Sequence, residues 1–251
     1  MNYKIIILLS ASFLALLLYS CQVYDNINNP QENGIIESET KWNLDKYNNS
    51  KVSKVYYKLF DKAGNLINTI EYNEQGNTVA EANYHINGSE VSVVTNYYGE
   101  SGAVDSVSKS VYHNDNNGNV LSQINMTSMG DTVSICNYTY NDRGNLVEKR
   151  EYSHDGKLIS YINYSYSYDN QDNLSVRYTN PTDDGSFQSK DSLVYNNSNK
   201  TIDRVNINSS GEIDKIFTYV YNSSGKPIFE TVTTKNGEII SKFSYEYKYY
   251  K

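Results

Sequence analysis

Regular punctuation constrains this chain more than anything else in it. Glycine, or a residue standing in its place, recurs at positions 64, 76, 88, 102, 118, 130, 144, 156, 172, 185, 199, 211, 225 and 237. The mean step is near 13 residues. The two substitutes are Asp172 and Asn199, residue types that tolerate positive φ better than any other non-glycine, so the series marks left-handed turn positions. The runs between turns alternate. In Tyr161–Tyr168, Ile162, Tyr164, Tyr166 and Tyr168 fall in one phase, and Asn163, Ser165 and Ser167 in the other. Phe243, Tyr245, Tyr247 and Tyr249 alternate with Ser244, Glu246 and Lys248 in the same way. Period two is the signature of a strand with one sheltered face and one wet face. No stretch of the mature chain longer than a single turn reads as helix.

The punctuation has a longer period as well. Gly118, Gly144, Asp172, Asn199 and Gly225 are separated by 26, 28, 27 and 26 residues, so the unit is a pair of hairpins about 27 residues long. Repetition at such a period indicates an array in which each unit buries its apolar face against its neighbours. Aligned by repeat, aromatic residues form columns: Tyr138/Tyr140, Tyr166/Tyr168, Leu193/Tyr195, Tyr219/Tyr221 and Tyr245/Tyr247. The chain has 26 Tyr against six Phe and one Trp, and these columns hold much of its aromatic mass. Cross-strand aromatic pairs contribute about 0.5–1.5 kcal/mol each beyond buried area. The expected fold is all-β: an antiparallel hairpin array forming one long, twisted and curved open sheet of about fifteen strands.

The first twenty residues stand apart. Ile5–Leu18 is an apolar run of fourteen, the length of a signal-peptide core and short of the roughly 18–20 residues a spanning helix needs. It ends in Leu18-Tyr19-Ser20-Cys21, which resembles the lipobox of bacterial lipoproteins. The resemblance implies cleavage between Ser20 and Cys21 and lipid attachment at Cys21. Gln22, where an inner-membrane retention signal has aspartate, implies sorting to the outer membrane, on its periplasmic or cell-surface face. Residues 1–20 are then the signal peptide, 21–34 a flexible tether containing Pro30, and 35–251 the repeat domain. With Cys21 lipidated, Cys136 has no disulfide partner and is expected to pack as a small hydrophobe.

The repeat resembles two further families. Tyr-Asn-Asp-Arg-Gly-Asn-Leu (140–146), with Tyr168-Asp169, Tyr195-Asn196 and Tyr221-Asn222, is similar to the YD repeats of RHS-type bacterial surface and toxin proteins. The short turns, such as Asp155-Gly156-Lys157 and Asn236-Gly237-Glu238, resemble MORN-variant repeats. The Asn- and Tyr-rich composition looks like that of Bacteroidota. The Asp-Pro-containing core motif that closes RHS repeats is absent, as is a toxin domain after them, so an open sheet is expected rather than a cargo shell. A transmembrane barrel is disfavoured because Lys149, Arg150, Lys190, Asp191, Asp203, Arg204 and Asp214 fall mid-strand, where lipid-facing strands need an apolar band.

Chemistry is sparse. His85, His113 and His154 lie in different repeats without ligand spacing, and no nucleophile motif or phosphate loop appears. The Asn/Asp-rich turns at 113–119 and 182–185 suit the backbone without calcium. The formal net charge of −7, with no basic cluster, argues against nucleic acid. The expectation is a non-enzymatic envelope lipoprotein with no cofactor and no metal. It would be membrane-bound through its lipid and act as a scaffold or protein-binding surface. The alternative is a glycan-binding module using the Tyr/Asn-lined face: Tyr138, Tyr140, Tyr166, Tyr168, Tyr219, Tyr221, Tyr245 and Tyr247.

Overall fold

A computed structural model describes residues 34–250, apart from 172, 181–186, 197 and 199. The first strands are β1 (Ile36–Leu44), β2 (Lys51–Phe60), β3 (Leu66–Tyr72), β4 (Thr78–Asn87) and β5 (Glu90–Tyr98). There follow β6 (Val104–Asn114), β7 (Val120–Thr127), β8 (Thr132–Tyr140), β9 (Leu146–Ser153), β10 (Leu158–Tyr168) and β11 (Leu174–Thr179). The last are β12 (Ser189–Tyr195), β13 (Thr201–Asn208), β14 (Ile213–Tyr221), β15 (Pro227–Thr233) and β16 (Ile239–Tyr249). Every strand pairs antiparallel with the next in sequence, and β16 pairs with β1. The all-β hairpin array is present. The open sheet is not, because the wall closes into a sixteen-stranded barrel.

Two features missed in the sequence account for the difference. Turn 45–50 contains no glycine, and Asn49 supplies the left-handed conformation at φ 59°, which adds β1 to the count. The second is bulging. Every pairing except β4–β5 and β11–β12 shows a register shift, mostly in the residues beside a turn, as between Asn125/Met126 and between Thr139/Tyr140. A bulge bends its strand and increases local twist. Strongly twisted sheets beyond about ten strands curl, and repeated bulges at both ends of the hairpins turn that curl into closure. Glu246 and Lys248 of the last strand face Thr40 and Ser38 across the β16–β1 seam, so no edge is left free there. Tyr250 reinforces this seam by donating its hydroxyl to the Phe60 carbonyl at 2.6 Å, reaching past β1 to the end of β2.

Turn chemistry repeats with the strands. In turn 61–65 the Asp61 N–H donates to the Asn65 carbonyl at 2.8 Å, and the Gly64 N–H to the Asp61 carbonyl at 3.0 Å. Gly64 sits at φ 86°, so this is a type I turn followed by a left-handed residue. The Asp61 carboxylate accepts the N–H groups of Ala63 and Asn65 at 2.8 and 2.9 Å. Asp115, Asn141, Asp169, Asn196, Asn208 and Asn222 each accept the corresponding pair two and four residues on. The carboxylate oxygens of turn 113–119 are thus occupied by protein donors. The other candidate calcium turn, and the stand-in positions Asp172 and Asn199, lie outside the described residues.

These turns make stability acid-sensitive. The Asn65 and Asn119 side chains, with backbone donors, hold Asp61 and Asp115 below the usual carboxylate range, and the Asn173 backbone does the same for Asp169. Each folded-state pKa lies below the unfolded one, so the stabilisation is present above the unfolded pKa and is lost as pH falls through the folded one. The melting temperature is therefore expected to drop between about pH 5 and pH 2.5. Asp115→Asn, which keeps the acceptor oxygen but cannot titrate, should flatten that slope in circular-dichroism melts.

Candidate functional site: the inner wall

Register carries one face of the sheet around the whole ring. Ala82 stands opposite Thr69 and Thr95, Cys136 opposite Gln123 and Glu151, and Lys149 opposite Tyr138 and Ile162. Further round, Asp191 faces Arg177 and Asn206, Glu230 faces Tyr219 and Phe243, and Lys41 faces Tyr245 and Tyr56. Most of the buried residues lie in this phase, which identifies it as the concave, inner side. Sixteen strands about 4.8 Å apart, tilted by about 40°, give a circular barrel a backbone diameter of about 30 Å. That is wider than opposing side chains can fill, so the inner side chains must satisfy one another along the wall.

They do so differently on the two halves. From β4 to β10 the inner wall carries two apolar clusters, Ala82, Val93 and Tyr112 in one and Cys136, Tyr138 and Leu146 in the other, with Lys149 and Glu151 of β9 among them. Cys136, at 2% exposure, packs as expected, and burial pushes its thiol pKa up. From β11 round to β2 the wall is ionic. The Lys41 ammonium lies 2.8 Å from Glu230, which also accepts the Tyr245 hydroxyl. Arg177 pairs with Asp191 at 2.5 Å, and Asn206 donates to the same carboxylate at 3.0 Å. Glu39 accepts the Tyr56 hydroxyl and lies 3.7 Å from Lys58.

The tyrosine columns are on this wall, and most of their hydroxyls are committed to it. Tyr140 donates to the Val120 carbonyl at 2.9 Å, Tyr195 to Leu174 at 2.6 Å, Tyr221 to Thr201 at 2.7 Å and Tyr247 to Pro227 at 2.9 Å. Tyr166 makes the same bond to Leu146. The acceptor is always the first residue of the preceding strand, beside a register shift in the ladder. Burial pushes the Tyr166 phenol up to about 12. Tyr138 donates to Gln123 at 2.7 Å, and Tyr168 accepts from Asn145 at 2.8 Å beneath the Arg143 guanidinium. Tyr219 and Tyr245 are buried. The structure thus brings all eight candidate residues to one face, as rungs of the wall. Ser20 and Cys21 lie outside the described residues.

Sequence reading treated mid-strand charges as one group. Adjacent residues must face opposite ways, so Lys149, Asp191 and Arg204 point inward while Arg150, Lys190 and Asp203 point outward. Half of the argument against a barrel therefore fails. The signal was available: Asp191 is in phase with Leu193 and Tyr195.

Fold and wall together define a closed antiparallel barrel of hairpin repeats. No family model matches the chain, and no curated protein matches it. Among solved structures it is similar to a porin-like protein from Bacteroides uniformis, at 13% identity and TM-score 0.55, over 85% of this chain and 98% of that one. A porin-like protein from Bacteroides vulgatus aligns at 13% identity and TM-score 0.35, over 86% and 99%. A TcdB2-TccC3-Cdc42 structure aligns at 10% identity and TM-score 0.25, over 81% of this chain and 15% of that one. The first of these supports the barrel fold.

Two substitutions test the wall. Tyr195→Phe removes one donor to a bulge carbonyl and should cost about 1 kcal/mol by urea denaturation, with the fold retained. Lys41→Ala leaves Glu230 buried beside Tyr245 without its cation and should cost about 3 kcal/mol.

Proposed function

We propose that this chain is a non-enzymatic envelope lipoprotein, held at the outer membrane through Cys21, whose barrel stands in water and serves as a scaffold for another protein. The observation that carries this reading is the outward face. Glu81, Lys109, Arg150, Lys190, Asp203 and Glu246 lie there within their strands, among Asn83, Asn163, Thr218 and Thr231. A lipid-facing wall would incur about 2–4 kcal/mol for each Lys or Arg near mid-bilayer, more in total than a typical domain's stability can offset. An outer wall of mixed charge is suited to water and to polar protein surfaces. The lipobox-like Leu18-Tyr19-Ser20-Cys21 supports attachment through a lipid on Cys21.

A second reading, saccharide binding, is favoured by the aromatic inner wall. Phenol rings stack on sugar faces even when their hydroxyls are engaged, and a wide barrel leaves room for a chain of sugars between its walls.

Cys21→Ser should move the protein from the membrane fraction to the soluble fraction while leaving its melting temperature unchanged. The wild-type protein added to planar bilayers should give no stepwise conductance, and discrete steps would overturn the water-standing barrel. Envelope cross-linking that returned no reproducible protein partner would count against the scaffold role.

A further inference from the structure

The inner wall is not electrically balanced: Lys149 on β9 is buried without a carboxylate at ion-pair distance among the described residues, and three more cations without such a partner gather in one sector. Lys41, Lys58 and Arg177 each have a carboxylate close by. The cations of β13, of the turn before it and of the turn after β14 do not. Lys200, Arg204 and Lys226 have no carboxylate at ion-pair distance among the described residues. These three lie in one sector. The Lys200 side chain crosses to the neighbouring turn, where a Cβ on Gly225 would sit 3.1 Å from its Cε. Lys226 ends that same turn and senses Lys200 electrostatically. Arg204 lies one inward step deeper than Ile202, with its guanidinium 4.0 Å from the Phe217 ring centre and its Nε buried without a partner.

A pocket opens between the two turns, about 520 Å³ in volume, lined by Asn196, Lys200, Ile202, Tyr219, Tyr221 and Asn222. It combines two aromatic rings, two turn asparagines and a cation, with a second cation at its edge and a guanidinium further in. We infer that this pocket binds a negatively charged saccharide, a pyranose carrying carboxylate or phosphate, with its ring against Tyr219 and Tyr221 and its anionic group between Lys200 and Lys226. The inference rests on the saccharide reading above and narrows it to acidic sugars at one place in the barrel. Burial, and secondarily the nearness of Lys200, hold Lys226 below the usual lysine range against the opposing pull of Glu39. An anion between the two ammonium groups relieves their repulsion, which a neutral sugar cannot do.

The charged-sugar chemistry has two sources in an envelope, a free acidic oligosaccharide and the phosphorylated sugar of a lipid headgroup. The test is calorimetric titration of the full chain in detergent with hexagalacturonate, its methyl ester, and a glucosamine disaccharide bisphosphate. At least one anionic probe should bind saturably, more weakly as salt rises, and the methyl ester should bind much less. Whichever anionic probe binds identifies the source. Lys200→Gln and Lys226→Gln should each weaken binding by roughly tenfold or more, the effect of losing one charge-assisted hydrogen bond. The outward Lys190→Gln should have no effect, and circular-dichroism melts check that each variant is folded. Equal binding of the methyl ester, or anionic binding that neither Gln variant weakens, overturns the acidic pocket while leaving saccharide binding standing. No binding of any probe overturns both.

Discussion

The wall of this barrel is one residue thick, and parity along each strand decides which solvent a side chain meets. That constraint organises the rest. Even-odd phase sends Tyr164, Tyr166 and Tyr168 inward and Asn163, Ser165 and Ser167 outward, and closure applies the same rule all the way round. Because sixteen strands enclose more space than side chains fill, no inner residue can rely on one from the far wall. Burial must then come from neighbours along the ladder, which favours long side chains that lie flat and end in a polar atom. Tyrosine meets this requirement better than leucine or phenylalanine. Its ring covers the adjacent strand, and its hydroxyl reaches a carbonyl at the start of that strand.

The bulges and the tyrosines are therefore one device. A bulge bends the wall, and five of the register shifts lie beside a strand-start carbonyl that accepts a tyrosine hydroxyl, a bond worth about 1 kcal/mol. One tyrosine of each column donates there: Tyr140 to Val120, Tyr166 to Leu146, Tyr195 to Leu174, Tyr221 to Thr201 and Tyr247 to Pro227. Curvature and side-chain chemistry recur together once per repeat unit, which is why a sequence poor in large aliphatics can still form a closed wall.

Much of this was legible in the sequence. Alternation gave the strands, glycine spacing gave the turns, and the columns placed the eight tyrosines on a common face. Closure was not legible, because bulges leave no residue signature comparable to glycine in a turn, and Asn49 hid one hairpin by doing a glycine's work. The ionic half of the inner wall was missed for a different reason. Mid-strand charges such as Asp191 and Arg204 were counted together against a lipid-facing wall, although their phase put them with the aromatics. The partner Arg177 comes from the next strand, and Lys41 reaches Glu230 from two strands away across the seam, 189 residues apart in sequence, which no local pattern reveals.

The seam has a consequence for how the molecule comes into being. Fifteen of the sixteen ladders join strands adjacent in sequence and can zip as the chain emerges, while the last must bring Trp42 to Glu246 across 204 residues. Closing a loop of that length costs about 5 kcal/mol of chain entropy, against well under half as much for a short hairpin loop. The ring therefore latches late, and until it does the growing ribbon exposes two unsatisfied borders able to recruit another chain. The ion pairs, the indole and the Tyr250 strap gathered at that junction keep the ring shut once it has closed, because they make the final step hard to reverse.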